Sequence, residues 1–483
     1  MRLKRSTERT LSLFPEPENT DRYVLHVGNV LEVLPTLPEN RFDGVLCDPP
    51  YHLTQNSRRG SVQAGDSGKT PFGRHGVCTD RGFMGQTWDG GDIAFRPETW
   101  RAVLRVMKPG SYLLAFGGSR TFHRLAVALE DAGFVLVDTL MWLYGTGFPK
   151  SLDVSKAIDK HLGVARPVVG KRKHPTLKNT DLIEEAANAA HGKNFWRREW
   201  DVTLPGHADS ARWNGYGTAL KPAYEPILLC RKPGEKTYAE NALKWGCGAL
   251  NIDGARIPVS ESEGERPLRE VTCDPDKNGM VYAGRRNAGG GFDGGSRAIG
   301  STSEGRWPAN AILDEEAAAM LNTQAGPRKS GAMPKGTLRR ARQGNAFGRF
   351  PGVATHKDIA ASVGGASRFF YVSKVSTKER QAGVTSSEPR YAHGTTLRRI
   401  ENSEKVGNDH PTLKPIDLTR YLANLILPPS RGDDSRRLLV PFSGAGSEMI
   451  GALQAGWDTV LGIEQSEHYA EIARKRLIYW IGG

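Results

Sequence analysis

The chain has 483 residues, 38% of them hydrophobic and 25% charged, and a formal net charge of +13. Such a length holds one large domain with an insert, or two to three domains, around a feasible core with plentiful loops. Its five cysteines are odd in number, unevenly spaced and without a Cys-x-x-Cys pair, so neither a disulfide framework nor a zinc site is indicated. The basic start, Met1-Arg2-Leu3-Lys4-Arg5, has no apolar h-region after it, and no stretch approaches the roughly 18 apolar residues of a membrane span. A soluble protein of a reducing compartment is expected.

In chain order, Tyr23–Val27 predicts a strand ending at Gly28-Asn29, and Val30, Leu31, Leu34 and Leu37 a short amphipathic helix. Phe42–Cys47 has the short apolar character of a buried strand and runs into Asp48-Pro49-Pro50-Tyr51. Open α/β sheets bind ligands beyond the carboxyl ends of such strands. Two prolines donate no hydrogen bond, so the backbone carbonyls are left as acceptors. A carboxylate and a carbonyl can together take both hydrogens of an exocyclic amine, and a tyrosine face can stack on the ring that bears it. The alternative is a polar strand-to-turn junction, as Asp274-Pro275 reads.

Residues 54–91 form a long glycine-rich loop with no apolar period. Such loops are functional or disordered; this one reads as a flap, with Phe83, Met84 and Trp88 as lids or wedges, or as simple anchors. Glu98–Met107 predicts a helix broken by Pro109-Gly110; Ser111–Phe116 a strand; His123–Leu129 a helix; Phe134–Leu143 a strand. The alternation predicts a parallel α/β sheet with right-handed crossovers. Two turns, Tyr144–Lys150 and Thr218–Pro226, close on the same rim, the second leading into the strand Ile227–Cys230; Lys221 is either a site residue or an ordinary turn lysine.

Residues 151–215 and 234–400 are expected to lie outside the sheet. Gly284–Gly305 holds eight glycines in 22 positions, too flexible to pack a core alone. Trp307–Leu313 and Arg368–Val372 read as strands flanking a basic segment. Residues 326–400 carry 15 Lys/Arg against 3 Asp/Glu, a surplus of 12, so nearly the whole net charge sits there. Arg328, Lys329, Lys335, Arg339, Arg340, Arg342 and Arg349 among small residues suit phosphate contacts along a groove; the bland reading is a solvated basic linker.

Arg437–Phe442 predicts another buried strand, followed by the turn Ser443-Gly444-Ala445-Gly446-Ser447-Glu448 and an apolar helix from Met449 to Ala455. Glycines let a ligand approach the backbone, and the helix offers its N-terminal amides. The strand Thr459–Glu464 then closes on an acid about 20 residues past the glycines, a spacing that suits ribose hydroxyls. The dinucleotide fingerprint competes, but Met449 stands where its third glycine belongs.

Together these segments resemble the DNA amino-methyltransferases, with His410-Pro411-Thr412-Leu413-Lys414-Pro415 and Glu467–Ala473 adding to the likeness. The amine motif precedes the cofactor motif by 391 positions, from Tyr51 to Phe442, which is similar to the permuted, β-type order. The resemblance implies a Rossmann-like, S-adenosylmethionine-dependent methyltransferase α/β sheet with a large inserted target-recognition region. It divides the chain into a catalytic half at 20–150, an auxiliary insert at 151–215, a return strand at 216–233, target recognition at 234–405 and a cofactor half at 406–483. It implies that Asp48, Pro49, Pro50 and Tyr51 hold a flipped-out base. Phe442, Gly444, Gly446 and Ser447 would shape the S-adenosylmethionine pocket, with Glu464 on the ribose, Asn29 near the adenine, and Thr412 and Lys414 near the methionine end. Glu448 replaces a Ser or Thr often found there and is expected to face solvent or cap its helix. Asp at the head of the motif favours adenine N6 over cytosine N4, and an intact pair of motifs disfavours an inactive DNA-binding relative. Asn-Pro-Pro-Tyr enzymes acting on protein glutamine or ribosomal guanine are a poorer match. The implied partner is double-stranded DNA, with room for a homodimer or a separate restriction endonuclease and none for a membrane; a bacterial or phage-encoded cytoplasmic protein is expected.

Overall fold

The computed structural model describes residues 22–53, 87–145, 147, 151–173, 199–258, 266–272, 295–302, 305–330, 342–345, 348–350, 362–374, 379, 381–384, 408, 410, 412–432 and 435–482. Nine strands form the central sheet: β1 (Tyr23–Val27), β2 (Phe42–Cys47), β3 (Met107–Phe116), β4 (Val135–Leu143), β5 (Tyr224–Arg231), β6 (Ala311–Asp314), β7 (Tyr371–Ser373), β8 (Arg437–Val440) and β9 (Thr459–Glu464). Their order across the sheet is β1-β9-β8-β2-β3-β5-β4-β6-β7. Every neighbouring pair is parallel except those of β5, which runs antiparallel to both β3 and β4. The expected all-parallel alternation thus holds except at the return strand.

Side chains alternate across the strands, and both faces are covered, which is why β2 is buried throughout. Val45, Cys47, Leu113, Ala115 and Leu439 point to one side, under α1 (Val30–Val33), α2 (Pro97–Val106) and α3 (Phe122–Ala132). Leu46, Leu114, Phe116, Leu438 and Val440 point to the other, under α6 (Ile416–Leu425), α7 (Ser447–Ala455) and α8 (Glu467–Ile481). The result is an α/β/α sandwich. At its centre Gly44 has room for no side chain, because a Cβ there would lie 2.8 Å from Cη2 of Trp457. Asp43, buried in β2, accepts from Lys108 Nζ at 2.6 Å and from the Arg437 N–H at 2.9 Å, tying β3 and β8 to either side of it.

Two expectations are corrected here. Pro109-Gly110 does not separate α2 from β3; it lies within β3, which begins at Met107. The pairing jumps from Phe42↔Met107 to Gly44↔Tyr112, so the extra residues form a bulge, and Gly110 takes the positive φ of 79° that the bend requires. The span 234–405 does not lie wholly outside the sheet. β6 and β7 extend it in parallel beyond Met141–Leu143, α4 (Tyr238–Trp245) packs against β3, and Ala255 sits in the core. Strands of three or four residues carry too little periodicity to reveal their long-range partners. α5 (Glu315–Ala325) follows β6, its N-cap Asp314 accepting from the Ala317 N–H at 2.6 Å. Four two-stranded ladders stand apart from the sheet.

Cys47, Cys230 and Cys247 are free, buried thiols; Cys78 and Cys273 lie outside the described residues. Among the described residues no helix is long and apolar enough to cross a membrane.

Trp457 is fully buried and donates from its indole to the Ala423 carbonyl at 3.0 Å. Trp457→Ala is expected to cost about 3–5 kcal/mol, read as a lower urea midpoint with an unchanged slope.

Candidate active site

β2 and β8 are adjacent and parallel, with Leu438 opposite Gly44 and Leu439 opposite Val45. Their carboxyl ends therefore emerge side by side, and the Asp48–Tyr51 and Phe442–Ser447 turns open onto one cavity of about 1040 Å³. Tyr51, Trp88, Trp142, Tyr144, Phe442 and Tyr469 supply aromatic wall. Such volume and lining suit flat, largely apolar ligands.

On the β2 side Lys414 organises the charges. Its ammonium, 5% exposed, donates to Asp48 Oδ2 at 2.8 Å and lies 3.2 Å from Glu225 Oε2. The rings of Tyr51 and Phe116 stand 5.1 and 4.9 Å away. Lys414, expected at the methionine end of a cofactor, is thus spent on the motif carboxylate. Burial works against its charge, but Asp48 and Glu225 outweigh this and hold its pKa above the ordinary lysine value. Burial likewise pushes the Asp48 carboxyl above the usual range, Lys414 pulls it back, and Glu225 pushes it up again. The Tyr51 hydroxyl gives its one proton to Glu225 at 2.9 Å, and the Tyr51 carbonyl accepts from Thr121 Oγ1 at 2.9 Å, so the ring is held on both sides. Asp48 Oδ1 remains: a buried acceptor with no hydrogen-bond partner.

Glu225 is the residue that sequence reading missed. It was visible only as an acid just before an apolar strand, and nothing local says that it meets Asp48. Lys221, the lysine singled out in the same turn, donates instead to the Gly145 carbonyl at 2.5 Å.

His52 follows the motif with a positive φ of 51° and is held there. The His52 and Leu53 N–H groups donate to the two Asp89 oxygens at 2.7 and 3.0 Å, and the Ala94 N–H donates to His52 Nε2 at 3.2 Å. Asp89 thereby ties the residues just after the motif to the segment that begins at Thr87. Trp88 lines the cavity and stacks on His410 at 5.7 Å; Phe83 and Met84 lie outside the described residues.

On the β8 side, Gly444 has φ +48° and donates its N–H to Glu464 Oε2 at 2.9 Å; a Cβ there would lie 3.1 Å from His410 Nε2. The other Glu464 oxygen accepts from the Ser466 N–H at 2.8 Å. Burial raises the Glu464 pKa, and these amides oppose the rise. Glu464, Thr412, Phe442, Gly444 and Ser447 all line the cavity.

Two residues expected there do not. Gly446, at φ +82°, faces Ala473 of α8, 3.2 Å from a would-be Cβ; it serves the turn and helix packing. Asn29 spends its side-chain oxygen as the N-cap of α1, accepting from the Leu31 N–H at 2.9 Å, while Gly28 and Val30 form the wall. Glu448 is also corrected: it faces the cavity and is 4% exposed. The solvent-facing alternative is thereby ruled out, α6 packing against α7, the helix that carries Glu448.

Of the basic candidates, Lys335, Arg339 and Arg340 lie outside the described residues. Arg328 and Lys329 fall in the strand Arg328–Ser330, Arg342 in Arg342–Asn345, and Arg349 in Gly348–Phe350, all in two-stranded ladders.

A family model described as DNA methylase matches residues 42–475. The chain belongs to this family of DNA methylases. Type II methyltransferase M.HindIII of Haemophilus influenzae is 26% identical over 236 residues, 44% of this chain and 60% of that protein. The chain thus spans three-fifths of the length of this curated relative. A crystal structure of an M1.HpyAVI–SAM complex aligns over 94% of this chain and 98% of its own at 11% identity, with a TM-score of 0.33. PvuII DNA methyltransferase (cytosine-N4-specific) aligns over 94% and 86% at 10% identity, with a TM-score of 0.35. The sheet of the methylase described here is Rossmann-like in build.

Burial, with Asp48 adding to it, raises the Glu448 pKa from 4.5 to about 7, Lys414 and Arg476 opposing. Between those two values the unfolded chain binds fewer protons than the folded one, so stability falls as pH rises through this window. The loss is complete above it and is on the order of 3 kcal/mol. Glu448→Gln lacks this titration: in urea unfolding, its stability relative to the natural protein should rise between pH 5 and pH 8. An unchanged difference would place the Glu448 carboxylate in water.

Proposed function

We propose that this protein is a site-specific DNA methyltransferase, acting on the exocyclic amine of a base swung out of the duplex. The observation that carries the reading is Asp48, which lines the same cavity as the Gly444 turn and Glu464 and whose Oδ1 is a buried acceptor without a hydrogen-bond partner. An exocyclic amine is the donor that this acceptor lacks. S-adenosylmethionine, when bound, supplies the methyl group as an activated sulfonium substituent. Phe442, Gly444, Ser447, Thr412 and Glu464 would hold it, the last offering carboxylate lone pairs to ribose hydroxyls. That two half-sites come together from opposite ends of the chain supports the permuted, β-type arrangement.

The chain's own residues account for activation of the amine. Asp48 Oδ1 accepts one amine hydrogen and the Pro49 carbonyl the other, which draws the nitrogen lone pair out of conjugation with the ring. Both acceptors also stabilise the positive charge that develops on nitrogen. Holding reactants in line is itself a large contribution to rate. Lys414 keeps Asp48 ionised in spite of its burial, and the Tyr51 ring, braced by Glu225 and Thr121, offers its face to the base. A base inside a duplex cannot reach these groups, so the nucleotide must be extruded. Adenine N6 is the position we assign, on the Asp that opens the motif. Double-stranded DNA is the partner, and the basic segment around Arg328–Arg349 provides its phosphate contacts.

Modification-sensitive sequencing of plasmid DNA after expression is expected to show N6-methyladenine in one sequence context; N4-methylcytosine would reverse the base assignment. Asp48→Ala should abolish transfer of labelled methyl to DNA and leave cofactor affinity within a few-fold. Retained transfer would remove Asp48 from the reaction. Because Asp48 must be ionised, transfer should decline as pH falls through its raised pKa. Lys414→Met deprives the carboxylate of its counter-charge and should move that acid limb to higher pH. Neutralising Arg339, Arg340 and Arg342 together should flatten the salt dependence of DNA binding by ~0.9 log units per log unit of salt for each phosphate no longer neutralised; an unaltered slope excludes them from the interface.

A further inference from the structure

The turn that leads into β5 carries a leucine that no part of the site explains. Leu220 lines the catalytic cavity and is nevertheless 92% exposed, so it stands at the mouth. Single exposed leucines are ordinary on protein surfaces; what sets this one apart is its place at the cavity mouth and the bracing of its turn. This one is held. The Thr218 and Ala219 N–H groups donate to Ser151 Oγ at 2.9 and 3.2 Å, and the Leu152 N–H donates to Thr218 Oγ1 at 3.0 Å. Lys221 Nζ donates to the Gly145 carbonyl at 2.5 Å, and the Tyr144 N–H donates to the Ala223 carbonyl at 3.0 Å. Pro222 removes one more backbone freedom. The turn is therefore braced on both sides of an apolar side chain that is left in solvent.

The same segment reaches the catalytic network. Five residues beyond Leu220, Glu225 accepts the Tyr51 hydroxyl proton and pairs with Lys414. Five residues of extended chain span at most about 18 Å, so the leucine lies within that reach of the carboxylate that braces Tyr51. Arg120 lines the cavity too, is exposed, and makes no ion pair among the described residues, which leaves a cation at the rim for a phosphate.

We infer that Leu220 is a wedge that enters the duplex where the target nucleotide leaves it, filling the gap in the stack while Tyr51 and Asp48 take the base. Apolar side chains inserted between base steps do this elsewhere, offsetting an unstacking cost of a few kcal/mol. The inference rests on the proposed DNA-methyltransferase function and adds to it the residue that opens the substrate.

The test is single-turnover methyl transfer by the full-length protein on synthetic duplexes carrying the sequence context found by sequencing. In one duplex the target base is paired; in the other it faces an abasic position and needs no unpairing. Leu220→Gly is expected to slow transfer on the paired duplex on the order of 10- to 100-fold and to match the natural protein within about threefold on the abasic one. Leu220→Met, which keeps an apolar wedge, should stay near the natural rate on both. Equal slowing by Leu220→Gly on both duplexes, or on neither, would overturn the wedge while leaving the methyltransferase reading intact. A natural protein that methylates neither duplex would overturn that reading, and the wedge with it.

Discussion

The Lys414 ammonium, buried between Asp48 and Glu225, is the interaction on which the site depends. Isolated charges in a dry interior cost several kcal/mol each. Here one cation meets two carboxylates at 2.8 and 3.2 Å, and one of those carboxylates also takes the Tyr51 proton. Removing the lysine would leave the two acidic groups without their shared counter-ion, a change that typically costs about 3–5 kcal/mol. The arrangement also has a sign. Lys414 is one cation between two acidic side chains, so acid groups outnumber it next to the unpartnered Asp48 oxygen. A site of that polarity suits a nitrogen on which positive charge develops.

That ion pair joins residues 366 positions apart, and the sheet makes it available. β8 and β9 return from the far end of the chain and insert between β1 and β2. Once β8 lies parallel beside β2, their turns share a rim and need no further device to meet. Gly44 under Trp457 and Asp43 bonded to Lys108 and Arg437 fix that adjacency at the opposite end of the strands. The site can assemble only after this long-range pairing, since neither half contains both the amine acceptor and the glycine turn. Parallel pairing of distant segments is entropically slow to form.

Rigidity on the remaining sides comes from polar anchors rather than from regular structure. Asp89 holds the two residues just after the motif, and Ser151, Thr218 and Gly145 brace the turn that carries Leu220 and leads to Glu225. Asp89, Ser151 and Thr218 satisfy backbone donors, and Lys221 a backbone acceptor at Gly145, that would otherwise be left bare.

What the sequence determined alone is what depends on neighbours along the chain. Continuous apolar runs marked β2, β3, β8 and β9 because both sheet faces are covered, and the Asp-Pro-Pro-Tyr and glycine turns announced themselves by residue type. Tertiary structure decided the rest. Glu225 and Lys414 acquire their roles by meeting across the cavity, Glu448 becomes a buried acid because α6 covers it, and Gly446 turns out to serve α8 rather than the pocket. Asn29 caps a helix instead of facing the cavity, a choice between two hydrogen-bond partners that no spacing reveals. β6 and β7 joined the sheet for a similar reason: strands of three or four residues carry no period, and only a partner 170 or more positions away, at Met141–Leu143, gives β6 its register. Charge, burial and hydrogen bonding are properties of surroundings, and surroundings exist only once the chain has folded.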